Sequence, residues 1–262
     1  QFGGKQLPLT AIASQYGDYF DFSQGSNRAT DGLEYVIDGD DDDGIRAVLK
    51  DRYPLLFTTS GVYFLPVNAL DGETPPGAIE ASEYGFEEII PPLRFDGLAV
   101  YVQQGGKVIR GLSWQGSDVN QGGWAPVDLS LRASHLIQSP IDACVREAGR
   151  LNNTNIYFLV RGDGELATLT SLDEQSVSGW ARENTPNGEF MAAGADKLGR
   201  IYFAVRREVD GEVVHSIETE EAGKYLDGSV ERTLVSATNV ENLAHLEGQQ
   251  IYLFHENGYN GP

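Results

Sequence analysis

Short apolar runs separated by glycine and acidic residues recur along the whole chain. The clearest example spans residues 155–182. Ile156 to Val160 predicts a strand, Gly162-Asp163-Gly164 a tight turn, and Glu165–Leu172 a returning strand. Polar residues follow, and a third strand ends on Trp180. Asp-Gly between apolar runs is a hairpin signal, because the turn needs a positive φ that glycine adopts at little cost. Alternation over residues 165–170 puts Leu166 and Thr168 on one face and their neighbours on the other. That alternation is imperfect, as expected of a sheet covered on both faces.

The same reading applied in order predicts strands at Leu7–Ser14 and Asp18–Phe22, then a polar loop over 23–33 and a short strand at Glu34–Ile37. Ile45–Lys50 is a strand or short helix. A hairpin follows, with arms Pro54–Thr59 and Val62–Val67 around Ser60-Gly61. Residues 68–94 form a long connection in which Pro75, Pro76, Pro91 and Pro92 forbid continuous central strand. The next hairpin pairs Leu98–Gln103 with Lys107–Trp114 across Gly105-Gly106. Gln115–Pro126 reads as a glycine-rich loop, and Asp128 as the N-cap of a short helix at Leu129–Leu136 that ends before Pro140. Ile141–Arg146 is a buried strand. A last clear hairpin joins Arg200–Val209 to Glu212–Glu218 through Asp210-Gly211, and Gln249–His255 opens a further strand.

Hairpins thus begin near residues 54, 98, 155 and 200, with broken partners near 7 and 249. The spacing of roughly forty to fifty residues matches one four-stranded propeller blade. Each unit carries a comparable phrase: Leu98-Ala99-Val100-Tyr101-Val102, Ile156-Tyr157-Phe158-Leu159-Val160, Ile201-Tyr202-Phe203-Ala204-Val205, Ile251-Tyr252-Leu253-Phe254. An aromatic residue repeated before a glycine turn is what radial repetition of one sheet produces. The expected fold is therefore all-β: a β-propeller of five to six short antiparallel blades in one domain over residues 1–262. A β-sandwich is the alternative, since it too uses short strands and turns.

Composition narrows the function classes. A formal charge of −20, from 39 acidic against 19 basic residues, argues against a surface that grips nucleic acid or anionic lipid as a whole. No apolar run approaches the ~18 residues of a spanning helix. The single Cys144 excludes an internal disulfide and a cysteine-based zinc site, and its neighbours Ile141-Asp142-Ala143-Val145 read as buried strand. His135, His215, His245 and His255 never stand three or four residues apart, so no helical metal pair exists. Asp38–Asp43 is a solvated acidic turn in which Asp40–Asp43 would attract a divalent ion loosely. It lacks the twelfth-position ligand and flanking helices of an EF-hand. Neither a Gly-x-Ser-x-Gly nucleophile nor a phosphate-binding loop is present.

The Asp-Gly pairs at Asp31, Asp38, Asp71, Asp96, Asp163, Asp210 and Asp227 are explained by turn geometry. Arg206-Arg207 is too short to be a nucleic-acid patch. Trp180 is assigned to blade packing, whereas Trp114 and Trp124, beside the glycine-rich loop, are the candidates for a sugar-binding platform. No catalytic, cofactor-binding or metal-binding residue is assigned, and the chain is expected not to be an enzyme and to need no cofactor.

A set of phrases carries a resemblance across nearly the whole chain. They are Phe2-Gly3-Gly4 with Ser14–Phe22, Leu56–Val62, Val108–Leu112, Asp128–Leu131 with Ser134–Leu136, and Asp163–Leu166 before Glu174-Gln175 and Trp180. Val205-Arg206-Arg207, Ser216-Ile217-Glu218 and Leu243–Gly248 complete the order. Read together, they resemble the tail nozzle or tail hub family of tailed bacteriophages, whose members contain a β-propeller. Val62-Tyr63 departs from the family, where a Glu commonly follows that glycine turn.

The resemblance implies a virion structural protein in the phage tail, forming part of the channel through which DNA leaves. It further implies a homo-oligomeric ring in the full-length protein, with other tail or neck subunits as partners, no membrane, and DNA that passes without specific binding. Family members continue past the phrase at Leu243–Gly248, so the chain is expected to be a fragment of a longer one, monomeric when isolated. An acidic channel wall would repel phosphates, which predicts exposure of Glu34, Asp38, Asp40, Asp41, Asp42 and Asp43. A glycan-binding or glycan-cleaving propeller is the alternative, and would need carboxylates and arginines converging in one pocket.

Overall fold

A computed structural model of the chain describes residues 44–66, 78–117, 122–148, 154–172, 177–209 and 211–220, with shorter stretches toward both ends. Among the described residues the elements are strands and one 3-10 turn. Four antiparallel meanders follow one another in chain order. The first sheet holds β3 (Ala47–Leu49), β4 (Leu55–Phe57), β5 (Val62–Phe64) and β6 (Ile79–Ser82). The second holds β7 (Leu93–Phe95), β8 (Leu98–Val102), β9 (Ile109–Gln115) and β10 (Gly123–Asp128). The third holds β11 (Pro140–Arg146), β12 (Asn155–Arg161), β13 (Leu166–Leu172) and β14 (Val177–Glu183). The fourth holds β15 (Gly188–Ala195), β16 (Ile201–Val209) and β17 (Glu212–Thr219). Two-stranded ladders lie toward the ends: β1 (Thr10–Ala13) with β2 (Leu33–Val36), and β18 (Phe254–His255) with β19 (Gly258–Tyr259).

The sheets stack face on face, and strand parity explains how. Along β12, Tyr157 and Leu159 join a core with Val100, Val102 and Ile109 of the second sheet. Phe158 and Val160 join a different core with Phe190, Ile201, Phe203 and Val205 of the fourth. On β13, Ala167 and Leu169 follow the first set and Leu166 the second. Successive side chains point to opposite faces, so a fully apolar strand is what a sheet between two others requires. The second sheet behaves alike: Ala99, Tyr101 and Leu112 face Leu55, Phe57, Val62 and Phe64 of the first. A sandwich has two sheets and one core between them. Here four sheets enclose three successive cores, which is the blade-upon-blade packing the repeats predict.

The leading strands lie together, β11 touching β7 on one side and β15 on the other. Tight turns keep each meander compact. Asp96 and Gly97 have φ of 50° and 77°, both positive as a two-residue hairpin loop requires. Gly164 and Gly211 follow at 82° and 79°, on the turns where the sequence puts them.

Three local expectations are corrected. The helix predicted at Leu129–Leu136 is only a 3-10 turn at Ser134–Leu136, because Asp128 does not cap a helix. Its Oδ1 instead accepts the amide and hydroxyl of Ser130, both at 2.9 Å, a local turn that competes with helix. The loop predicted at Gln115–Pro126 contains most of β10, whose Pro126 is tolerated because β10 is an edge strand. Where a strand is predicted at Asp18–Phe22, the described residues Asp18, Phe20 and Asp21 form a turn: Asp18 accepts the Phe20 amide on its side chain and the Asp21 amide on its carbonyl. The segment Ile45–Lys50 resolves as strand at β3, and the long connection contains β6 near its middle and the start of β7 at its end. Asp38 and Asp40–Asp43, Glu174-Gln175, Leu243–Gly248 and the phrase at Ile251–Leu253 lie outside the described residues, as does the side chain of Glu34. The total number of blades rests partly on those residues.

Candidate functional site

The aromatic candidates come first. Trp114 and Trp124 sit directly opposite each other on β9 and β10. Their rings meet edge to face at 5.6 Å, and Trp114 meets Tyr53 at 5.0 Å and Phe64 at 5.8 Å. Such T-shaped contacts are favoured packing geometry for aromatic rings. Trp114 donates its Nε1 to the Gly116 carbonyl at 2.9 Å. Arg52 lies over the Trp114 ring at 5.6 Å and donates to the Ser117 carbonyl at 2.6 Å. Both tryptophans are half-buried against the core between the first two sheets. The pair is packing between blades, with the ring of Trp114 capped by a cation. Trp180, assigned to packing, lies against the core between the second and third sheets and donates Nε1 to the Leu129 carbonyl at 2.8 Å.

Polar side chains cross every seam between sheets. Arg94 of the second sheet reaches Asp51 of the first at 3.4 Å. Asp96, in the β7–β8 turn, accepts Asn155 Nδ2 at 2.8 Å on Oδ1 and the Ser171 hydroxyl on Oδ2, so one carboxylate holds two strands of the third sheet. Asp142 of β11 accepts its neighbour's amide at Ala143 and, with Oδ2, the Ala193 amide of β15 at 2.9 Å. Arg146 pairs with Glu220 at 2.6 Å across the same seam while lying over Phe158 at 5.6 Å. Gly164 gives its carbonyl to the Phe190 amide at 2.8 Å. Hydrogen bonds to charged groups are each worth about 1.5–3 kcal/mol, so these clasps fix how one sheet sits on the next.

Arginines and carboxylates also gather where the third and fourth sheets meet. Glu165 accepts Arg182 on both oxygens and lies 3.4 Å from Arg161, which also pairs with Asp163. Glu189 pairs with Arg206 at 3.0 Å. The hydrogen bonds from Arg182 hold the Glu165 carboxyl below the usual range. A general acid of a glycosidase needs the opposite shift. Buried Arg207 is held at 2.7 Å by both oxygens of Glu218 and also donates to Thr185 Oγ1 at 2.6 Å and the Pro186 carbonyl at 2.5 Å. This cluster is a set of charge pairs, not an open array of carboxylates.

Cys144 is buried between Phe158 and the fourth sheet, and burial, assisted by Asp142, pushes its thiol up to about 12. His135 stands exposed in the 3-10 turn and His215 exposed on β17. His245 lies outside the described residues, as does the side chain of His255. Among the described residues, no three His, Cys, Asp or Glu side chains gather to hold a metal ion, and no helix is long and apolar enough to cross a membrane.

Sequence reasoning identified the turn at Asp96-Gly97 but not its clasp on Asn155 and Ser171. Asp in a left-handed turn position, where Gly or Asn also serves, was the available signal. No known family model and no curated protein sequence matches the chain.

Proposed function

We propose that this chain is a structural blade array from the tail nozzle or hub of a tailed bacteriophage, without chemistry of its own, contributing to the passage through which DNA leaves the particle. The observation that carries the reading is where the resembling phrases fall. Several of the phrases meet in space as pairs. Val205-Arg206-Arg207 meets Ser216-Ile217-Glu218 through the Arg207–Glu218 ion pair, with Ser216 Oγ 2.9 Å from Glu218 Oε1. Asp128-Leu129-Ser130 meets Trp180 through the Leu129 carbonyl, and meets the phrase at Val108–Leu112 through Ser130 Oγ, which accepts the Ile109 amide at 3.1 Å. A resemblance made of residues that contact one another within a sheet, and in one case between two sheets, supports a shared architecture more than scattered identities would.

On this reading the full-length protein closes a ring with other tail or neck subunits, and duplex DNA slides past without being held. The test is direct. Antibody raised against the chain, applied to purified tailed particles whose genome encodes it, should decorate the tail end. Particles that package DNA but contain no trace of the chain by mass spectrometry overturn the assignment.

A further inference from the structure

The turn that opens the fourth sheet, Thr185-Pro186-Asn187-Gly188, leads straight into β15. Asn187 is exposed, has a φ of 48°, and its side chain makes no hydrogen bond among the described residues. The Gly188 amide beside it is loosely held. It reaches the Thr185 carbonyl at 3.3 Å, whereas the turn amides of Gly106, Gly164 and Gly199 find their carbonyls at 3.0 Å. N–H···O bonds longer than about 3.2 Å are weak. Gly188 also has no side chain to screen its nitrogen from the residue before it. The other asparagines among the described residues, Asn155 and Asn184, stand differently. Each precedes a β-branched residue, Ile156 or Thr185, whose bulk crowds the following nitrogen. Asn155 moreover commits its side chain to Ala148 and Asp96.

We propose that Asn187 is a self-modification site, at which the folded chain converts its side-chain amide to a carboxylate through a cyclic imide. Asn is among the thermolabile residue types, and the route needs only water and a base from the solvent. The Gly188 nitrogen gives up its proton to solvent and attacks Asn187 Cγ. The Cγ–Nδ2 bond breaks, and ammonia departs with a proton. Water then opens the ring. Cleavage at the side-chain carbonyl leaves an ordinary aspartyl residue, and cleavage at the main-chain carbonyl leaves a β-linked one with an extra methylene in the backbone. No electrons change hands.

The position gives this change a consequence. The Pro186 carbonyl and the Thr185 hydroxyl accept the buried Arg207 guanidinium at 2.5 and 2.6 Å. Gly188 lies opposite Arg207 in the β15–β16 ladder, so close that a Cβ on it would stand 3.0 Å from Arg207 Nη1. A backbone lengthened between Pro186 and Gly188 cannot keep both on Arg207, so the β-linked form loosens the start of the fourth sheet.

The experiment keeps the full chain folded for weeks in mildly alkaline buffer at physiological temperature. Peptide mapping by mass spectrometry, with electron-based fragmentation to tell the two linkages apart, then reads each asparagine. Two further Asn-Gly pairs, Asn257-Gly258 and Asn260-Gly261, lie wholly or partly outside the described residues and are read separately. Asn187 should lose its amide progressively and yield both linkages, while Asn155 and Asn184 keep theirs. The β-linked fraction should unfold at lower urea than Asn187→Asp, which has the added charge without the added methylene. An amide retained at Asn187 in the folded chain overturns the proposal, most directly if the urea-unfolded chain loses it over the same period. Equal loss at Asn155 and Asn184 overturns it as well. Equal midpoints for the β-linked form and Asn187→Asp overturn the loosening around Arg207.

Discussion

Glycine substitution separates two costs that usually arrive together. Gly211 and Gly164 occupy equivalent hairpin turns with nearly equal φ, 79° and 82°. A side chain in that region costs about 1–2 kcal/mol, partly offset by the ~0.4–1 kcal/mol gained when a freer unfolded chain is stiffened. At Gly211 a Cβ would meet nothing within 4 Å, so Gly211→Ala should cost about 1 kcal/mol. At Gly164 the same atom would stand 2.7 Å from both Cβ and Cγ of Glu189, on the neighbouring sheet. Overpacking of this kind costs about 1–3 kcal/mol more. The difference between the two variants therefore measures how firmly the third sheet is pressed on the fourth.

Gly85→Ala extends the series, since its Cβ would fall 1.7 Å from the Thr59 carbonyl oxygen. Only a backbone shift could relieve that contact. Such a shift would break the Phe86-to-Thr58 and Gln104-to-Gly85 hydrogen bonds, both 2.8 Å, for a total beyond about 4 kcal/mol. Urea unfolding at constant slope gives all three values. If Gly164→Ala and Gly211→Ala shift the midpoint equally, the sheets are not in rigid contact there, and the stacked arrangement of the third and fourth sheets is wrong.

Two further outcomes follow from the seams. Native Cys144 should resist thiol reagents near pH 8 and react once urea exposes it. Its folded pKa lies above the ordinary 9.0, so the stability it confers is complete below pH 9.0 and fades as pH climbs toward about 12; a thiol that reacts at full rate in the folded protein refutes its burial. Asp96→Ala should cost about 2–4 kcal/mol by loss of both clasp bonds and of a residue tolerant of positive φ. Asp96→Asn should cost less than about 1 kcal/mol, because Asn keeps the turn and can bond both partners. Equal midpoints for the two variants in urea would show that the clasp contributes nothing.

The strands and hairpins were legible because each blade is a local meander whose turns announce themselves through glycine. The two-faced burial of the third sheet was legible too, from the failure of strict alternation at residues 165–170. What escaped was decided by single side chains acting locally or at long range. Asp128 looked like a helix cap because capping and turn-forming residues are the same types, and here its Oδ1 takes both the amide and the hydroxyl of Ser130 in a local turn. The start of β10 escaped because glycines and a proline disguise an edge strand. Asp142 and Asp96 carry no sequence mark of the backbone amide or the Asn and Ser they hold, more than fifty residues away. Trp114 and Trp124 looked like a binding platform, since exposure, not composition, separates a platform from packing.

The double burial of β12 raises a question of error. In a strand with one wet face, slipping by one residue drives its apolar side chains into water, and the mistake corrects itself. Tyr157, Phe158, Leu159 and Val160 are all buried, so a one-residue slip would merely trade their two surroundings. Hydrophobicity cannot proofread such a strand. Asn155 can, because only one alignment brings it and Ser171 together onto the carboxylate of Asp96. In a stack of this kind, the few polar side chains between sheets serve as address labels, and the apolar majority supplies the adhesive.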